Sequence, residues 1–543
     1  MFKTILCVQF LLILTAGKLL AQPGSSPHIY PGLSENFRIF PSNVSQTEVF
    51  IVNSPADDNV LFASCNTLTF IPFFVSEGIY VSTDGGDSWY GSDTCSGEPI
   101  AFHGGDPGIA IDKNGTFILS RIGRPPFSGL FSHYSNDRGL SWSVQQVIST
   151  DDLERAVLAS DIFPSSPYYG RTYAAWVKFA PPFPMMISWT DDGGISWSPP
   201  LQINNPPNRS AGGDICIGPG GEVYVCWAGV TDVSPFSEVY IGFGLSLNGG
   251  SNWNVTENAY PVKGITGKLE EKGNIRVNGL PVIAVDTCQG ERYGWIYVLT
   301  GQKDLAPAGS DPDIILNRST DGGQSWSGPV RVNQDMVSNG KIQYFPAVHV
   351  DRFGVVNAIF YDDRNTTGDS AGVFLARSAD GGFSWKEYEI SDHRYRPEPI
   401  GGLGQGYQGD NIDLTSTHTT LWPVWMDNSS GIYQIWTVPI DFTSLDAIEE
   451  TIHKPLLVME QNHPNPFHNQ TRIAYRLDEA GRVHIRIRDL QGSFQFPAVD
   501  EWKEAGDHEI VFDAAANGIP AGVYLYSLTF RGKTISRKML VLP

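Results

Sequence analysis

Short apolar runs recur along the chain with a period of two, separated by clusters of Gly, Asn, Asp and Pro. Gly108-Ile109-Ala110-Ile111-Asp112 is followed, after a Lys-Asn-Gly turn, by Thr116-Phe117-Ile118-Leu119. Pro346 to Asp351 and Val355 to Tyr361 make a second such pair. Alternation of this kind predicts half-buried strands joined by tight turns. The strands come in sets of four: two before a recurring turn, one entering it and one leaving it. Seven sets can be marked, beginning near Glu48, Asp106, Asp161, Asp214, Pro281, Phe345 and Asp410.

The recurring turn is an octet found six times: Ser82 to Trp89 (STDGGDSW), Ser135 to Trp142 (SNDRGLSW), Thr190 to Trp197 (TDDGGISW), Ser246 to Trp253 (SLNGGSNW), Ser319 to Trp326 (STDGGQSW) and Ser378 to Trp385 (SADGGFSW). The starts are 53, 55, 56, 73 and 59 residues apart. The third residue is Asp84, Asp137, Asp192, Asn248, Asp321 or Asp380. Its side chain accepts backbone N–H bonds within the turn, the Gly takes a positive φ, and the Trp packs back under the strands. The Asn of the fourth copy still accepts such bonds. The seventh set, through Leu421-Trp422-Pro423-Val424-Trp425 and Ile432 to Ile440, has no octet and lacks an outer strand. Asn36 to Phe40, ahead of the first set, is placed to supply it and close a ring, which removes exposed sheet edges.

These octets resemble the Asp-box, or BNR repeat, of the sialidase superfamily and other β-propellers. The resemblance implies an all-β chain with a seven-bladed β-propeller over residues 36–440, a six-bladed ring of sialidase type being the alternative. In that family the box is structural and lies far from the ligand face, so it implies a fold and no reaction.

Composition agrees with many turns and a sizeable core. The 543 residues include 57 Gly, 37 Pro, 14 Trp, 21 Tyr and 29 Phe, with 41% hydrophobic and 17% charged residues. That balance excludes wholesale disorder. Fifty-eight acidic and 37 basic side chains give a formal charge of -21. Such an excess argues against nucleic acid and anionic lipid as partners.

Lys3, the apolar run Ile5 to Leu14 and the small residue Ala21 predict a secretory signal peptide over residues 1–21. The run is too short for a membrane anchor, and no other approaches 18 apolar residues, so no transmembrane segment is expected in the mature chain. Export permits disulfides. Cys216 and Cys226 flank a Pro-Gly-Gly turn and can face each other across a hairpin; Cys65 and Cys95 can close one repeat; Cys288 is left over. Isolated thiols are the alternative for all five. No CxxC or Cys/His cluster suggests structural zinc.

Residues 441–460 break the repeat and read as a linker. Residues 461–543 carry ten Lys/Arg and nine Asp/Glu, a net of +1, so the negative charge belongs to the repeat region. The alternation Arg482-Val483-His484-Ile485-Arg486-Ile487-Arg488 predicts a half-buried strand, and Gly522 to Leu528 and Ile535 to Leu542 predict others, giving a small Ig-like β-sandwich. Asn462-His463-Pro464-Asn465-Pro466-Phe467 opens this tail, followed by Thr471-Arg472-Ile473-Ala474-Tyr475, Ala521-Gly522-Val523-Tyr524 and the closing Lys538-Met539-Leu540-Val541-Leu542. It resembles the type A C-terminal sorting domain of the type IX secretion system. The resemblance implies passage across the outer membrane of a Gram-negative bacterium, removal of the tail by a sortase, and release or attachment at the cell surface. The alternative is an ordinary carbohydrate-binding sandwich.

Chemistry is expected on the face opposite the octets, at the mouth of a central channel. Loops there carry Phe70-Ile71-Pro72-Phe73-Phe74, Arg124-Pro125-Pro126-Phe127, Phe179 to Pro184 with Phe183, and Ser234-Pro235-Phe236. Exposed rings of this kind stack on sugars or on a partner protein, or they pack against one another. Asp106, Asp161, Asp214 and Asp410, with Glu48, stand at the starts of innermost strands. Converging carboxylates bind Ca²⁺ or act as acid and base; the plainer role is capping strand N–H groups. The sialidase resemblance adds a triad of Arg38, Arg276 and Arg364 for a substrate carboxylate, Tyr407 as nucleophile and Asp106 as acid. Phe37-Arg38-Ile39 resembles that family's Phe-Arg-Ile-Pro motif, although Phe40 intervenes before Pro41 and the register puts it on an outer strand. The expected function is recognition of an extracellular glycan or protein without turnover, with an exo-acting glycoside hydrolase as the alternative.

Overall fold

The computed structural model describes residues 33–70, 73–95, 103–443, 457–477, 480–490, 495–531 and 533–543. The expected leader and most of the expected linker lie outside them. The chain divides into two compact units, Met1–Asp441 and Phe442–Pro543.

The first unit is a β-propeller. Seven antiparallel sheets of at least four strands follow one another along the chain. Their innermost strands are Ser45–Asn53, His103–Ile111, Val157–Ser160, Arg209–Ile217, Val282–Val285, Gln343–Val350 and Asp413–Ser416. Each lies against the next, and the last against the first, so they surround a central channel. The second strand of each set is covered on both faces by neighbouring sheets, and Val223–Val230 is buried throughout. That double burial explains why such segments read as continuous apolar runs rather than strict alternation. The outer strand of the seventh sheet comes from the start of the unit: Phe37–Arg38 pairs antiparallel with Gln434–Thr437, Phe37 facing Thr437. Asn36 extends the closure by donating to the Ile390 carbonyl at 3.0 Å.

The octets form one repeated turn. Ser82 Oγ accepts the Gly86 N–H at 2.8 Å, and Asp84 Oδ1 accepts the Ser88 N–H at 2.9 Å. The equivalent carboxylate bonds recur at Asp137, Asp192, Asp321 and Asp380. Asn248 keeps the backbone bond, to Asn252 at 2.9 Å. The tryptophans differ from expectation, because they pack on the preceding sheet. Trp142 stacks near Phe62 (5.9 Å between centroids), Trp326 near Phe243 (5.2 Å), and Trp89 near Trp422 of the seventh sheet (6.3 Å). Each octet therefore wedges two neighbouring sheets together.

The expected cysteine pairs do not form. Strand register sets Cys216 opposite Tyr224 and Cys226 opposite Asp214, two residues out of step. The Cys65 thiol contacts the Tyr80 hydroxyl at 3.7 Å instead. Cys65, Cys216, Cys226 and Cys288 are free thiols.

The second unit is a sandwich. One sheet holds Leu457–Met459, Gln470–Leu477 and Gly506–Asp513; the other runs Gln495–Lys503, Gly481–Asp489, Gly522–Phe530 and Lys533–Val541. Val483, Ile485 and Ile487 point into a core with Ile473, Phe512 and Tyr526, while Arg482, Arg486 and Arg488 face outward.

Candidate functional site

The innermost strands of four sheets carry the same irregularity near the mouth. Glu48, Asp106, Gly212 and Phe345 have φ of +57°, +54°, +53° and +50°, each at a break in pairing with the second strand. A bulge at this place bends the strand and re-aims one side chain. In the first two sheets the re-aimed residue is acidic.

Asn66 fastens this arrangement. Its amide oxygen accepts the Asp106 N–H at 2.6 Å, and its amide nitrogen donates to Asp106 Oδ1 at 3.2 Å and to the Tyr407 hydroxyl oxygen at 3.3 Å. The Tyr407 hydroxyl also hydrogen-bonds Thr47 Oγ1 at 3.0 Å. Arg276 Nε donates to Asp410 Oδ1 at 3.2 Å, and its guanidinium lies 5.3 Å from the Tyr407 ring centre. Arg155 donates to the Asn411 amide oxygen and stacks 4.9 Å over Phe50. Glu48, Glu154, Glu238, Arg155, Arg276 and Asp410 line a mouth cavity of about 300 Å³. A deeper cavity of about 230 Å³ follows the channel past Asp214, Asp413 and His349.

Arg276 arrives by an unexpected route. Between the outer strand Asn254–Pro261 and the innermost strand Val282–Val285 the chain inserts an arm, a hairpin of Gly267–Leu269 and Ile275–Val277 around a short turn at Glu270–Lys272. This arm accounts for the 73-residue spacing between the fourth and fifth octets. It reaches toward the sixth and seventh sheets. The Arg276 N–H donates to the Gly406 carbonyl at 2.7 Å. Lys272, fully buried, pairs with Asp363 and donates to the carbonyls of Gly368 at 2.6 Å and Ser370 at 3.0 Å.

Burial decides the protonation of the mouth. It holds the Glu48 carboxyl well above its ordinary value, with Asp106 and Asp410 adding repulsion. It also raises Asp106, against the Asn66 hydrogen bond. Glu154 is pushed up to about 7 by burial, then by Asp106 and Asp410. Burial, reinforced by Glu48, keeps the Tyr407 phenol neutral. Neutral carboxyls donate as well as accept, which suits hydroxyl-rich ligands.

Of the residues singled out from sequence, Glu48, Asp106, Asp410, Arg276 and Tyr407 come together here. The arginine triad does not form. Arg38 stays on the outer strand of the seventh sheet, 5.8 Å over Trp436. Arg364 is held by Asp362 and by Glu387, which lies on the outer strand of the sixth sheet. Asp161 is displaced too: it follows the end of Val157–Ser160, away from the mouth, where its carboxylate accepts the Phe163 N–H at 3.1 Å and the Ser166 hydroxyl. Asp214 sits inside the channel and ties two sheets, accepting the N–H groups of Ile215 at 2.9 Å and Ile283 at 2.8 Å. Asp413 does the same for Leu414 and Ile51. The capping role therefore holds for Asp161 and Asp214. No cluster of three or more His, Cys, Asp or Glu side chains suited to Ca²⁺ or another metal occurs among the described residues.

The aromatic loops fare unevenly. Phe73 and Phe74 begin a strand, Phe73–Ser82, and Ile71-Pro72 lies outside the described residues. Phe127 is 54% exposed; Phe236, 40% exposed, lines the mouth cavity. Phe183 and Phe236 are not open platforms, because Arg209 covers a face of each. The sequence reading missed Glu154, Arg155, Asn66 and Thr47. The strand start at Val157 rather than Asp161 was the signal for the first two; nothing in the local pattern marks the others.

No family model matches the chain, and no curated protein matches it. Several solved structures are similar. A protein of unknown function from Dyadobacter fermentans is 15% identical, the match covering 64% of this chain and 96% of that one, with a TM-score of 0.41. An ulvan lyase of a new polysaccharide lyase family is 11% identical over 73% of this chain and 94% of its own, with a TM-score of 0.48. The intramolecular trans-sialidase from Ruminococcus gnavus is 11% identical over 64% and 94%, with a TM-score of 0.39. Similarity at this level assigns no chemistry to the present chain.

Proposed function

We propose that this chain is an exported propeller that recognises an extracellular glycan at the channel mouth and the aromatic loops beside it, without turnover. The observation that carries the reading is the convergence of Glu48, Glu154, Arg276 and Asp410 on one cavity of about 300 Å³, with Tyr407 joined to it through Arg276 and Asp106 joined to Tyr407 through Asn66. The carboxyls of Glu48 and Glu154, held above their ordinary values by burial, together with a phenol and an amide offer paired donors and acceptors, and Phe236 offers an apolar edge. Sugar rings present that mixture of hydroxyls and C–H faces. Both arginines are already engaged, by Asp410 and Asn411, which supports a hydroxyl-rich ring in the mouth rather than a sugar whose carboxylate must be clamped there. A glycan array probed with the mature chain tests this. The expected result is retention that Tyr407→Phe combined with Asp410→Asn lowers roughly tenfold, as loss of charge-assisted hydrogen bonds requires. Retention indifferent to that pair of changes overturns the placement.

The second reading is turnover by a sialidase-type hydrolase. It is favoured by the Tyr407 hydroxyl beside Glu48 and within one amide of Asp106. It needs the phenolate to be generated by Glu48 and the leaving group to be protonated by Asp106. A fluorogenic panel of terminal sugars decides: release abolished by Tyr407→Phe supports it, and inactivity across the panel removes it.

Export rests on the predicted leader and on the tail motifs that resemble a type IX sorting domain; the secretion machinery and its sortase are then the partners of the second unit. In a Gram-negative host carrying that system, deleting residues 461–543 is expected to strand the protein in the periplasm. Unchanged surface or medium delivery would sink the proposal. No helix among the described residues is long and apolar enough to cross a membrane.

A further inference from the structure

Arg209 opens the innermost strand of the fourth sheet, and its guanidinium is clamped between two rings. Its central carbon lies 4.3 Å from the centre of Phe183 and 4.4 Å from that of Phe236. The two phenylalanines come from different loops yet adopt the same backbone state, φ of +59° and +61°. That region is costly for a bulky side chain and persists only where surroundings enforce it. Tight turns do so here: the Phe183 N–H bonds the Ala180 carbonyl at 2.7 Å, and the Phe236 N–H bonds the Val233 carbonyl at 2.8 Å. The Ser210 N–H then ties the strand to the Phe183 carbonyl at 3.1 Å.

What the stack lacks is a counter-ion. Arg276 has Asp410, and Arg364 has Asp362 and Glu387. Arg209 has no carboxylate partner among the described residues, and its Nε is buried without a hydrogen-bond acceptor. In a chain of charge -21 an unpaired, half-buried guanidinium stands out. With rings at 4.3 and 4.4 Å from its central carbon and Nε buried, the group has its two terminal N–H₂ donors left for a ligand. These donors bind a carboxylate or sulfate with two parallel hydrogen bonds, and holding the plane rigid removes most of the entropy such a contact costs. Phe236 also lines the mouth cavity, so the stack stands one ring away from it.

We infer that Arg209, held between Phe183 and Phe236, selects glycans that carry an acidic substituent, a carboxylate or a sulfate, next to the ring seated in the mouth. This rests on the glycan reading above and adds the class of ligand to it.

Affinity electrophoresis of the mature chain through gels containing polygalacturonate, a sulfated galactan or a neutral galactan tests the inference. The readout is the ratio of affinity for each acidic polymer to that for the neutral one. Wild type is expected to favour at least one acidic polymer, and which one separates carboxylate from sulfate. Arg209→Gln is expected to cut that ratio about tenfold or more, the worth of a charge-assisted pair. Arg209→Lys keeps the charge without the planar fork and is expected to recover only part. A ratio unchanged by Arg209→Gln, or a wild type that binds neutral and acidic polymers alike, overturns the role of Arg209 while leaving the mouth as a glycan site. A wild type that binds none of the three overturns the glycan reading and this inference with it. If Arg209→Gln shifts the thermal midpoint, Arg209→Lys carries the comparison.

Discussion

The two faces of the propeller are built on opposite rules. On the octet face one hydrogen-bond set is repeated, with the same donors and acceptors at nearly the same distances. On the loop face no two sheets agree: one bulge presents Glu48, another Asp106, another Gly212, another Phe345. Backbone strain follows the same division. Eleven non-glycine residues among those described have positive φ; Arg138 belongs to an octet and Arg531 to the second unit, and the other nine lie on the loop face or at its rim. Repetition maintains the ring, because each octet wedges its own sheet against the preceding one. Departure from repetition places chemistry, because a site needs particular side chains at particular angles.

The sharpest way to break this comparison is at the inserted arm, which no repeat supports. Its anchor is the fully buried Lys272–Asp363 pair. Lys272→Met leaves the Asp363 carboxylate buried with one partner fewer and is expected to cost about 3–5 kcal/mol in urea unfolding of the first unit. Asp363 also accepts the Ile342 N–H at 2.8 Å, so adding Asp363→Asn is expected to restore part of that loss. Glycan affinity should fall together with stability, because the same arm carries Arg276 to Asp410. A loss below 1 kcal/mol would show that the arm is held elsewhere.

A second contrast is electrostatic, and its signs oppose each other. The Ser88 hydroxyl and N–H hold Asp84 below its ordinary value, and the Ser141 groups do so for Asp137. A depressed carboxyl stabilises the folded state above about pH 4, and that contribution is lost as the pH falls further. Glu154 behaves in reverse. Its folded value of about 7 exceeds its unfolded one, so its contribution is complete below about pH 4.5 and lost as the pH rises toward 7. Asp413, raised to about 7 by burial, acts in the same direction. Thermal midpoints are therefore expected to rise as the pH drops from 7.5 to 5 and to fall again below 4. Glu154→Gln should flatten the upper arm by about 1–3 kcal/mol and leave the acid arm intact. An acid arm altered by Glu154→Gln would mean that the two faces are not electrostatically independent.

The octets were legible in sequence because each needs specific residue types: a hydroxyl, an acceptor two positions on, a residue that tolerates positive φ, and a large ring. The closing strand at Phe37–Arg38 could be read because the seventh set was one strand short. The mouth was half legible. Glu48, Asp106 and Asp410 precede apolar runs, and that position is visible. Asp161 precedes one too, yet it follows a four-residue strand that alternation alone had merged with its surroundings. The sialidase resemblance groups Arg364 with Arg276 in a triad for a substrate carboxylate, but side-chain reach commits it to Asp362 and Glu387. Asn66 and Thr47 lie in ordinary strands and acquire roles only when distant segments meet, which local pattern does not record.

The octet of the second sheet offers the mildest test, since it breaks the rule of its own face. Arg138 stands where the other five copies have Gly, and it adopts φ of +60°. The left-handed region costs a side chain of this kind about 1–2 kcal/mol, and Gly in its place gives back about 0.5–1 kcal/mol through the freedom of the unfolded chain. Arg138 gains little in return. Its contact with Asp57, at 3.3 Å and half exposed, is a surface pair of small worth. The hydrogen-bond set around Asp137 is complete without it: Ser141 donates its N–H at 2.9 Å and Ser135 its hydroxyl at 2.7 Å. Arg138→Gly is therefore expected to stabilise the first unit by about 0.5–1 kcal/mol in urea unfolding, with glycan affinity unchanged. A destabilised variant would mean that the Arg138 side chain supports the neighbouring sheet through Asp57, since the Tyr90 hydroxyl donates to the residue-138 main-chain carbonyl, at 2.9 Å, which the change keeps. A changed affinity would mean that the octet face communicates with the mouth, and the division between a face that holds the ring and a face that recognises would have to be abandoned.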